Sequence, residues 1–485
     1  MTIPKEFQDL GSDATAEPHL GIAESSIDDQ GLKDKWYISQ KVYIKNYGCQ
    51  MNVYDGQKMA DLLKPHGYSL TESPEDADVA ILNTCHIREK AEHKVFSDLG
   101  RLQVVKKDRI VAENDRDMLI AVGGCVGQAE GAEITRQAPY VDMVFGPQSY
   151  HRLPEMLAQL EHKVKGKRRK IINTDFPVES KFDFLPRPDE TSVSAFLSIQ
   201  EGCDKFCHFC VVPYTRGAEY SRPALKVIQE AKHLVSIGAK EITLLGQNVN
   251  GYHGEGLDGK EWSLGRLLYD LAEIDGLKRI RYTTSHPLDM HDELYNAHRD
   301  ITQLMPFLHL PVQSGSNAIL DAMNRKHNVE QYLAIIDKLR TMRADIAFSS
   351  DFIVGYPGET DKDHESTLEL IQKVGFTQAY SFKYSPRPGT PASALLTQVP
   401  ETLKSERLAQ IQDSINTLQL AFNQTMIGKT LEVLFDRQGK LSQQIIGKTP
   451  YMQSVTLDGD HSLFGNLLSV KIKSGYGNSL AGEHI

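Results

Sequence analysis

"GCDKFCHFC" (202–210) sets three cysteines, Cys203, Cys207 and Cys210, at C-x3-C-x2-C spacing with no fourth thiol nearby. A structural zinc closes a shell of four ligands, usually drawn from paired C-x2-4-C units. Only one C-x2-C exists here, and His208 lies inside it, too close to serve easily as the missing partner. A cubane iron–sulfur cluster normally takes four thiolates. Held by three, it keeps one iron open to a small molecule, which a cluster that only relays electrons does not need. The stretch just before the motif, "AFLSIQEG" (195–202), reads as a buried strand. Five more follow: "EITLLGQN" (241–248), "RIRYTTS" (279–285), "MPFLHLP" (305–311), "IAFSSDFIVG" (346–355) and "AYSFKYS" (379–385), with helical stretches between them. Six βα units predict an open, incomplete relative of the (βα)8 barrel. Polar or glycine-rich residues follow the strands: Gln247 and Asn248, Ser285 and His286, Gln313 and Ser314, Gly355 to Gly358, and Ser385. That edge is where such barrels carry their chemistry, so the cysteine loop is expected at the barrel mouth.

The chain has 485 residues, too many for one ordinary core, and its 40% hydrophobic and 24% charged residues are those of a soluble globular protein. No apolar run approaches the roughly 20 residues needed to cross a bilayer. The N-terminus lacks the charged-then-apolar pattern of a secretion signal, so a reducing cytoplasm and no membrane partner are expected. In that compartment six cysteines read as thiols rather than disulfides. A net charge of −10 argues against indiscriminate coating of nucleic acid. A local basic stripe, "KVKGKRRK" (163–170), reads either as a solvated linker or as a phosphate contact.

The pattern divides the chain into five parts. Residues 1–38 lack periodicity and are expected to be a disordered tail. Residues 39–160 alternate apolar runs with helical stretches and predict an α/β domain with a parallel sheet. Its candidate strands are "KVYIKNY", "DVAILNTC", "MLIAVGGC" and "VDMVFG". Cys49, Cys85 and Cys125, 36 and 40 residues apart, each fall at a strand's C-terminal end, so they are expected to meet on one sheet edge. The alternative is that they are small apolar core residues. Residues 161–190 form a basic linker. Residues 191–424 hold the barrel and a helix with Leu408, Ile411, Ile415, Leu418 and Phe422 on one stripe, which is expected to pack on it. Residues 425–485 turn β-rich and suggest a small β-barrel, either RNA-binding or a structural cap.

With the cysteine loop at the first strand of such a barrel, the sequence resembles the radical S-adenosylmethionine (SAM) superfamily. "YGCQMNVYDG" (47–56), "NTCHIREKAEHKVFSDLGRL" (83–102), "GGCVGQ" (123–128) and "IQEGCDKFCHFCVVPYTRGAEYSRP" (199–223) narrow this to the methylthiotransferases. "LGQNVNGY", "RYTTSHP", "LHLPVQSGSNAILDAMNRKH" and "DFIVGYPGET" resemble the family's later barrel segments. "CHIREKA" and "FSDLGR" are similar to its tRNA-modifying branch, which adds a methylthio group to C2 of N6-isopentenyladenosine beside the anticodon. Tyr356 and His86 stand where Phe and Ser are common, and leave the ligand set intact.

The resemblance implies two 4Fe–4S clusters. One on Cys203, Cys207 and Cys210 would chelate SAM and generate a 5′-deoxyadenosyl radical; one on Cys49, Cys85 and Cys125 would deliver sulfur. SAM would serve as methyl donor and as radical source. Candidate SAM contacts are Gln247, Asn248, Gln313, Ser314, Ser316, Gly355, Pro357 and Gly358. Arg216 is expected to position SAM or RNA, or else to make a surface salt bridge, and His286 and His309 are read as structural. The C-terminal region resembles the TRAM domain, with Lys429, Lys440, Lys448, Lys471 and Lys473 for phosphates and Tyr451 for base stacking. Expected partners are tRNA and an electron donor such as flavodoxin or ferredoxin. Two alternatives stay open. One is the same chemistry on another modified adenosine or a protein side chain; the other is a non-catalytic iron–sulfur or zinc RNA-binding protein.

Overall fold

Short apolar runs with glycine or a polar residue at their ends build a sheet of six parallel strands in the order β2-β1-β3-β4-β5-β6. They are β1 (Gln40–Asn46), β2 (Tyr68–Leu70), β3 (Val79–Thr84), β4 (Leu119–Gly123), β5 (Met143–Phe145) and β6 (Ile171–Asn173). The computed structural model describes residues 40–86, 89–112, 117–161 and 170–485. Residues 1–38, expected as a disordered tail, and residues 163–169 of the basic stripe lie outside the described residues. Every residue of β3 is buried, because helices cover both faces of the sheet. Helices Gln50–Leu63 and Leu153–Glu161 close one face with Met59, Leu63 and Leu157; helix Glu89–Ala112 closes the other with Val95, Leu99 and Leu102. β6 lies within the stretch expected as linker. Ile171–Asn173 is short and partly exposed and so leaves no continuous apolar run to announce it, yet it pairs in register with Met143–Phe145.

The second module has the six expected strands in chain order. β7 (Ser194–Ser198), β8 (Glu241–Leu245) and β9 (Arg279–Tyr282) form one parallel sheet. β10 (Phe307–His309), β11 (Ala347–Val354) and β12 (Gln378–Lys383) form another. A parallel bridge, Ile280 to Leu304, links the two, and among the described residues β7 and β12 do not pair, so the barrel is open. Leu197, Ile242, Leu244, Ile280 and Tyr282 face outward into a core shared with Val227, Leu267 and Leu271 of helices Ala224–Ser236 and Leu264–Ala272. Each such buried aliphatic side chain contributes about 1.5–3 kcal/mol. Helix Glu401–Gln424 packs on the barrel as its stripe predicts, through Leu408, Ile411, Ile415 and Leu418. Phe422 at its end joins a different core, that of the C-terminal barrel.

That last module is a closed five-stranded barrel, in the order β13-β14-β15-β17-β16. Its strands are β13 (Thr430–Gln438), β14 (Gln444–Lys448), β15 (Ser454–Asp458), β16 (Leu467–Gly475) and β17 (Ser479–His484). Closure removes the exposed edges that a five-stranded sheet would otherwise present. Two buried arginines of β9 fasten it to the open barrel. Arg279 donates to the carbonyls of Lys448 and Glu432, each at 2.8 Å, and Arg281 to those of Thr449 and Pro450, each at 2.8 Å. Arg281 Nε also meets Glu241 Oε2 at 2.9 Å.

Candidate active site between two cysteine triads

The first triad is assembled by three strand ends. Cys49 follows β1 and opens helix Gln50–Leu63, Cys85 follows β3, and Cys125 lies on helix Gly124–Glu130 just after β4. Two glycines permit the approach. Gly48, at φ 89°, would place a Cβ 2.5 Å from Cys85 Sγ, and Gly124, at φ 87°, would place one 2.4 Å from the Thr84 carbonyl. Any side chain there would push the loops apart. Thr84 ties the second loop to the third: its Oγ1 donates to Gly123 O at 2.6 Å and accepts from Val126 N at 3.1 Å. Asn52 ties the first to the second, its Nδ2 donating to Tyr47 O and Thr84 O, both at 2.8 Å. The hydrogen bond with Cys85 draws the Cys49 thiol down to about 6, against burial and helped by the charge of Arg216. Burial pushes Cys125 up, and Arg216 opposes it.

The second triad lies on the loop after β7. Its frame is a set of backbone and side-chain bonds to residues 322–325. His208 N–H donates to Met323 O at 3.0 Å, and the His208 ring Nδ1 meets Ala322 O at 2.9 Å. Asn324 Nδ2 donates to Phe206 O at 2.9 Å, holding Phe206 at φ 50°. The imidazole inside the motif is thus committed to a carbonyl. Arg325 Nη1 stands 3.5 Å from Cys207 Sγ, a cation beside a thiol that sequence reasoning missed. Burial pushes Cys203 up to about 11 and Cys210 up to about 12, with the Cys207 charge adding to both.

One cavity of about 930 Å³ is bounded by Cys49 from the first triad and by Cys203, Cys207 and Cys210 from the second. Cys85 and Cys125 are buried and are not among its lining residues. Of the expected SAM contacts, Gln247, Asn248 and Gln313 line the cavity. Gln247 Oε1 accepts from Gly202 N at 2.7 Å, bracing the cysteine loop. Asn248 Nδ2 donates to Asp289, which also receives Lys205 of that loop at 2.7 Å. Gln313 holds φ 80°, a strained conformation for a residue with a side chain.

Ser314, Ser316, Gly355, Pro357 and Gly358 are not among the lining residues. Ser316 caps helix Asn317–Ala322, and Ser314 Oγ accepts from Ser316 N. Gly355 N donates to Glu359 and Gly358 N to Thr397 O, so this turn is fastened within its own surroundings. His286 lines the cavity, with Nδ1 accepting from Leu288 N, and burial and Arg325 hold it neutral. His309 bonds Ser349 Oγ at 3.0 Å. Arg216 is no surface residue. Its side chain is 3% exposed and bridges Glu201 to Asp55.

Two C-terminal expectations need correction. Tyr451 packs edge-on against Phe422 at 5.8 Å and its hydroxyl reaches Asp345, because the ring sits at the seam with helix Glu401–Gln424 rather than facing solvent. Lys448 turns back onto Ser454 Oγ at 2.9 Å, and burial pushes it down to about 8. Lys473 pairs with Glu483 at 2.6 Å. Lys429, Lys440 and Lys471 are exposed.

Among the described residues no three His, Cys, Asp or Glu side chains converge on a single metal ion. A cubane asks for a wider arrangement, since each thiolate binds a separate iron. Among those residues too, no helix is long and apolar enough to cross a membrane.

Three family descriptions match the chain in order: "Uncharacterized protein family UPF0004" over residues 41–146, "Radical SAM superfamily" over 197–371 and "TRAM domain" over 424–485. Among solved structures, the radical S-adenosylmethionine methyltransferase TsrM from Kitasatospora setae, with cobalamin and a [4Fe-4S] cluster bound, is 12% identical. The match covers 73% of this chain and 74% of that one, with a TM-score of 0.52. The apo form of the cobalamin-dependent radical enzyme OxsB is 11% identical, covering 80% of this chain, with a TM-score of 0.51. The chain spans 57% of the length of OxsB. At these identities the likeness is one of fold. These three regions in this order are the domain architecture that marks the MiaB-like radical SAM methylthiotransferases.

Proposed function

We propose that this chain methylthiolates C2 of N6-isopentenyladenosine beside the anticodon of tRNA, using SAM as methyl donor and radical source. One observation carries the reading: cysteines of both triads border a single cavity. The donor sets suit two 4Fe–4S clusters. Each offers three soft thiols, the six cysteines are thiols rather than disulfides, and His208 is engaged elsewhere. When bound, the cluster on Cys203, Cys207 and Cys210 supplies the electron that breaks the sulfonium C–S bond of SAM, and the one on Cys49, Cys85 and Cys125 supplies sulfur. Arg325 Nη1 reaches the sulfur of Cys207 at 3.5 Å and holds it in place, while Gln247 fixes the loop that carries Cys203. Gln247, Asn248 and Gln313 offer polar groups to SAM along the wall. Met51, Phe209, Leu245 and Ile353 keep much of the remaining lining apolar, which keeps water from a reactive intermediate. Adenine C2–H is neither acidic nor a leaving position, so acid–base catalysis alone has no hold on it. A flavodoxin or ferredoxin is the proposed electron source, in a reducing cytoplasm.

The deciding experiment is an anaerobic assay with SAM, reductant and isopentenylated tRNA, followed by mass analysis of the nucleosides. The 2-methylthio nucleoside is the expected product. Its absence, with product found instead on another adenosine or on protein, would move the reading to that substrate. Reconstituted protein should hold about eight irons per chain, as two cubanes require. Four irons would leave one triad without its cluster, and zinc in place of iron would favour a binding protein. Affinity for tRNA should fall steeply as salt rises from about 50 to 200 mM if exposed lysines such as Lys429, Lys440 and Lys471 meet phosphates. A filter-binding titration that stays flat would remove the C-terminal barrel from the interface.

A further inference from the structure

Arg216 lies six residues beyond Cys210, at the end of the short helix Val212–Thr215. Its backbone belongs to the segment that carries the second triad, yet its guanidinium is lodged in the first. Nη2 stands 2.8 Å from Asp55 Oδ2 and 3.2 Å from Asn52 Oδ1, both on the helix that Cys49 opens. The charge of the same group opposes the burial that pushes the Cys125 thiol up. Asn52 Oδ1 also faces Cys49 Sγ at 3.7 Å, so one amide touches both the guanidinium and a triad thiol. On the other side Nη1 donates to Glu201 Oε1 at 2.6 Å. Lys181 completes a ring, 2.7 Å from Glu201 and 3.7 Å from Asp55. All four side chains are 1–3% exposed.

The two cations and two carboxylates cancel, so the ring is neutral before any thiolate is counted. A guanidinium cannot lose its proton in a protein, and in a buried setting its field is weakly screened. Its planar fork also serves several acceptors in fixed directions at once, which a lysine cannot do.

We propose that Arg216 is a positioning residue for the first triad: a cation carried on the segment of one cysteine set, held in the other, which fixes the charge felt by the sulfur-delivering cluster and its placement relative to the SAM site. The proposal rests on the reading that Cys49, Cys85 and Cys125 hold a cluster. A cubane with three thiolates is net negative, and a nearby cation favours its more negative, reduced form. Reduction potential follows net charge and hydrogen bonding in this way.

The test uses full-length protein reconstituted anaerobically with iron and sulfide, in a Cys207→Ala background that leaves only the first triad's cluster. Arg216→Met is expected to lower the midpoint potential by at least a tenfold change in the reduction equilibrium, about 59 mV for one electron. Arg216→Lys keeps the charge and is expected to keep most of the potential. Having lost the fork, it should release iron to a chelator roughly tenfold faster. If Arg216→Met yields no folded protein, the chelator rate of Arg216→Lys decides. Unchanged potential and unchanged iron release in the folded variants would overturn the role of Arg216 alone. A Cys207→Ala protein that holds no iron at all would overturn the cluster assignment of the first triad, and this proposal with it.

Discussion

Cys207→Ala is expected to reduce SAM cleavage to 5′-deoxyadenosine to the level of an enzyme-free control, whereas Cys49→Ala should leave that cleavage in place and abolish methylthiolated product. Cys207 is the central thiol of the loop 203–210 and the one that Arg325 approaches at 3.5 Å. With no fourth thiol nearby, loss of one of three ligands leaves a cubane two protein thiolates and no substitute. Cys49 belongs to a separate strand end and shares its hydrogen bond with Cys85. Its loss should spare the loop that follows β7. Because alanine is smaller than cysteine and apolar, neither change overfills the packed surroundings. The measurement is chromatographic quantification of 5′-deoxyadenosine with a chemical reductant and no RNA, alongside nucleoside analysis with RNA. Equal loss of cleavage in both variants would end the division of labour between the triads.

The second large effect is on stability. Glu201→Gln should lower the unfolding free energy of the chain by about 3–5 kcal/mol, the cost of leaving a buried charge without its partner. Glu201 accepts from Lys181 at 2.7 Å and from Arg216 at 2.6 Å, so its neutralisation leaves two cations facing one carboxylate, Asp55. Water cannot make up the loss at side chains this deeply buried. Lys338→Met is the contrast: its partner Asp292 is 85% exposed, and breaking that pair should scarcely move the transition. Denaturant titration of both variants beside the parent chain makes the comparison. A Glu201→Gln protein as stable as its parent would mean that the ring contributes nothing to holding the two modules together.

What could be read beforehand was whatever leaves a periodic or chemical mark. β3 and β4 announced themselves because strands buried on both faces are continuous apolar runs, and the cysteines stood where those runs ended. The barrel strands and the stripe of helix Glu401–Gln424 were legible for the same reason. β2 and β6 were not, since both are short and partly exposed and so leave no continuous apolar run to detect. Arg216 was visible as a charge near a motif but not as a hub, because its partner Asp55 is 161 residues away in the chain. Nothing local distinguishes a surface arginine from one whose counter-ions arrive from another module. Tyr451 looked free for the same reason, since only the fold brings Phe422 against it.

The grip of Arg279 and Arg281 on four carbonyls of the small C-terminal barrel acts at the starts of the strands, while the thiols of the second triad stand at the far ends. A polymer held by that barrel and reaching the thiols must span the length of the wall between them. The arginine clamp would fix one end of that span, where a loose tether would let it wander. It would work as a ruler, choosing the reacting unit by its distance from the point of grip.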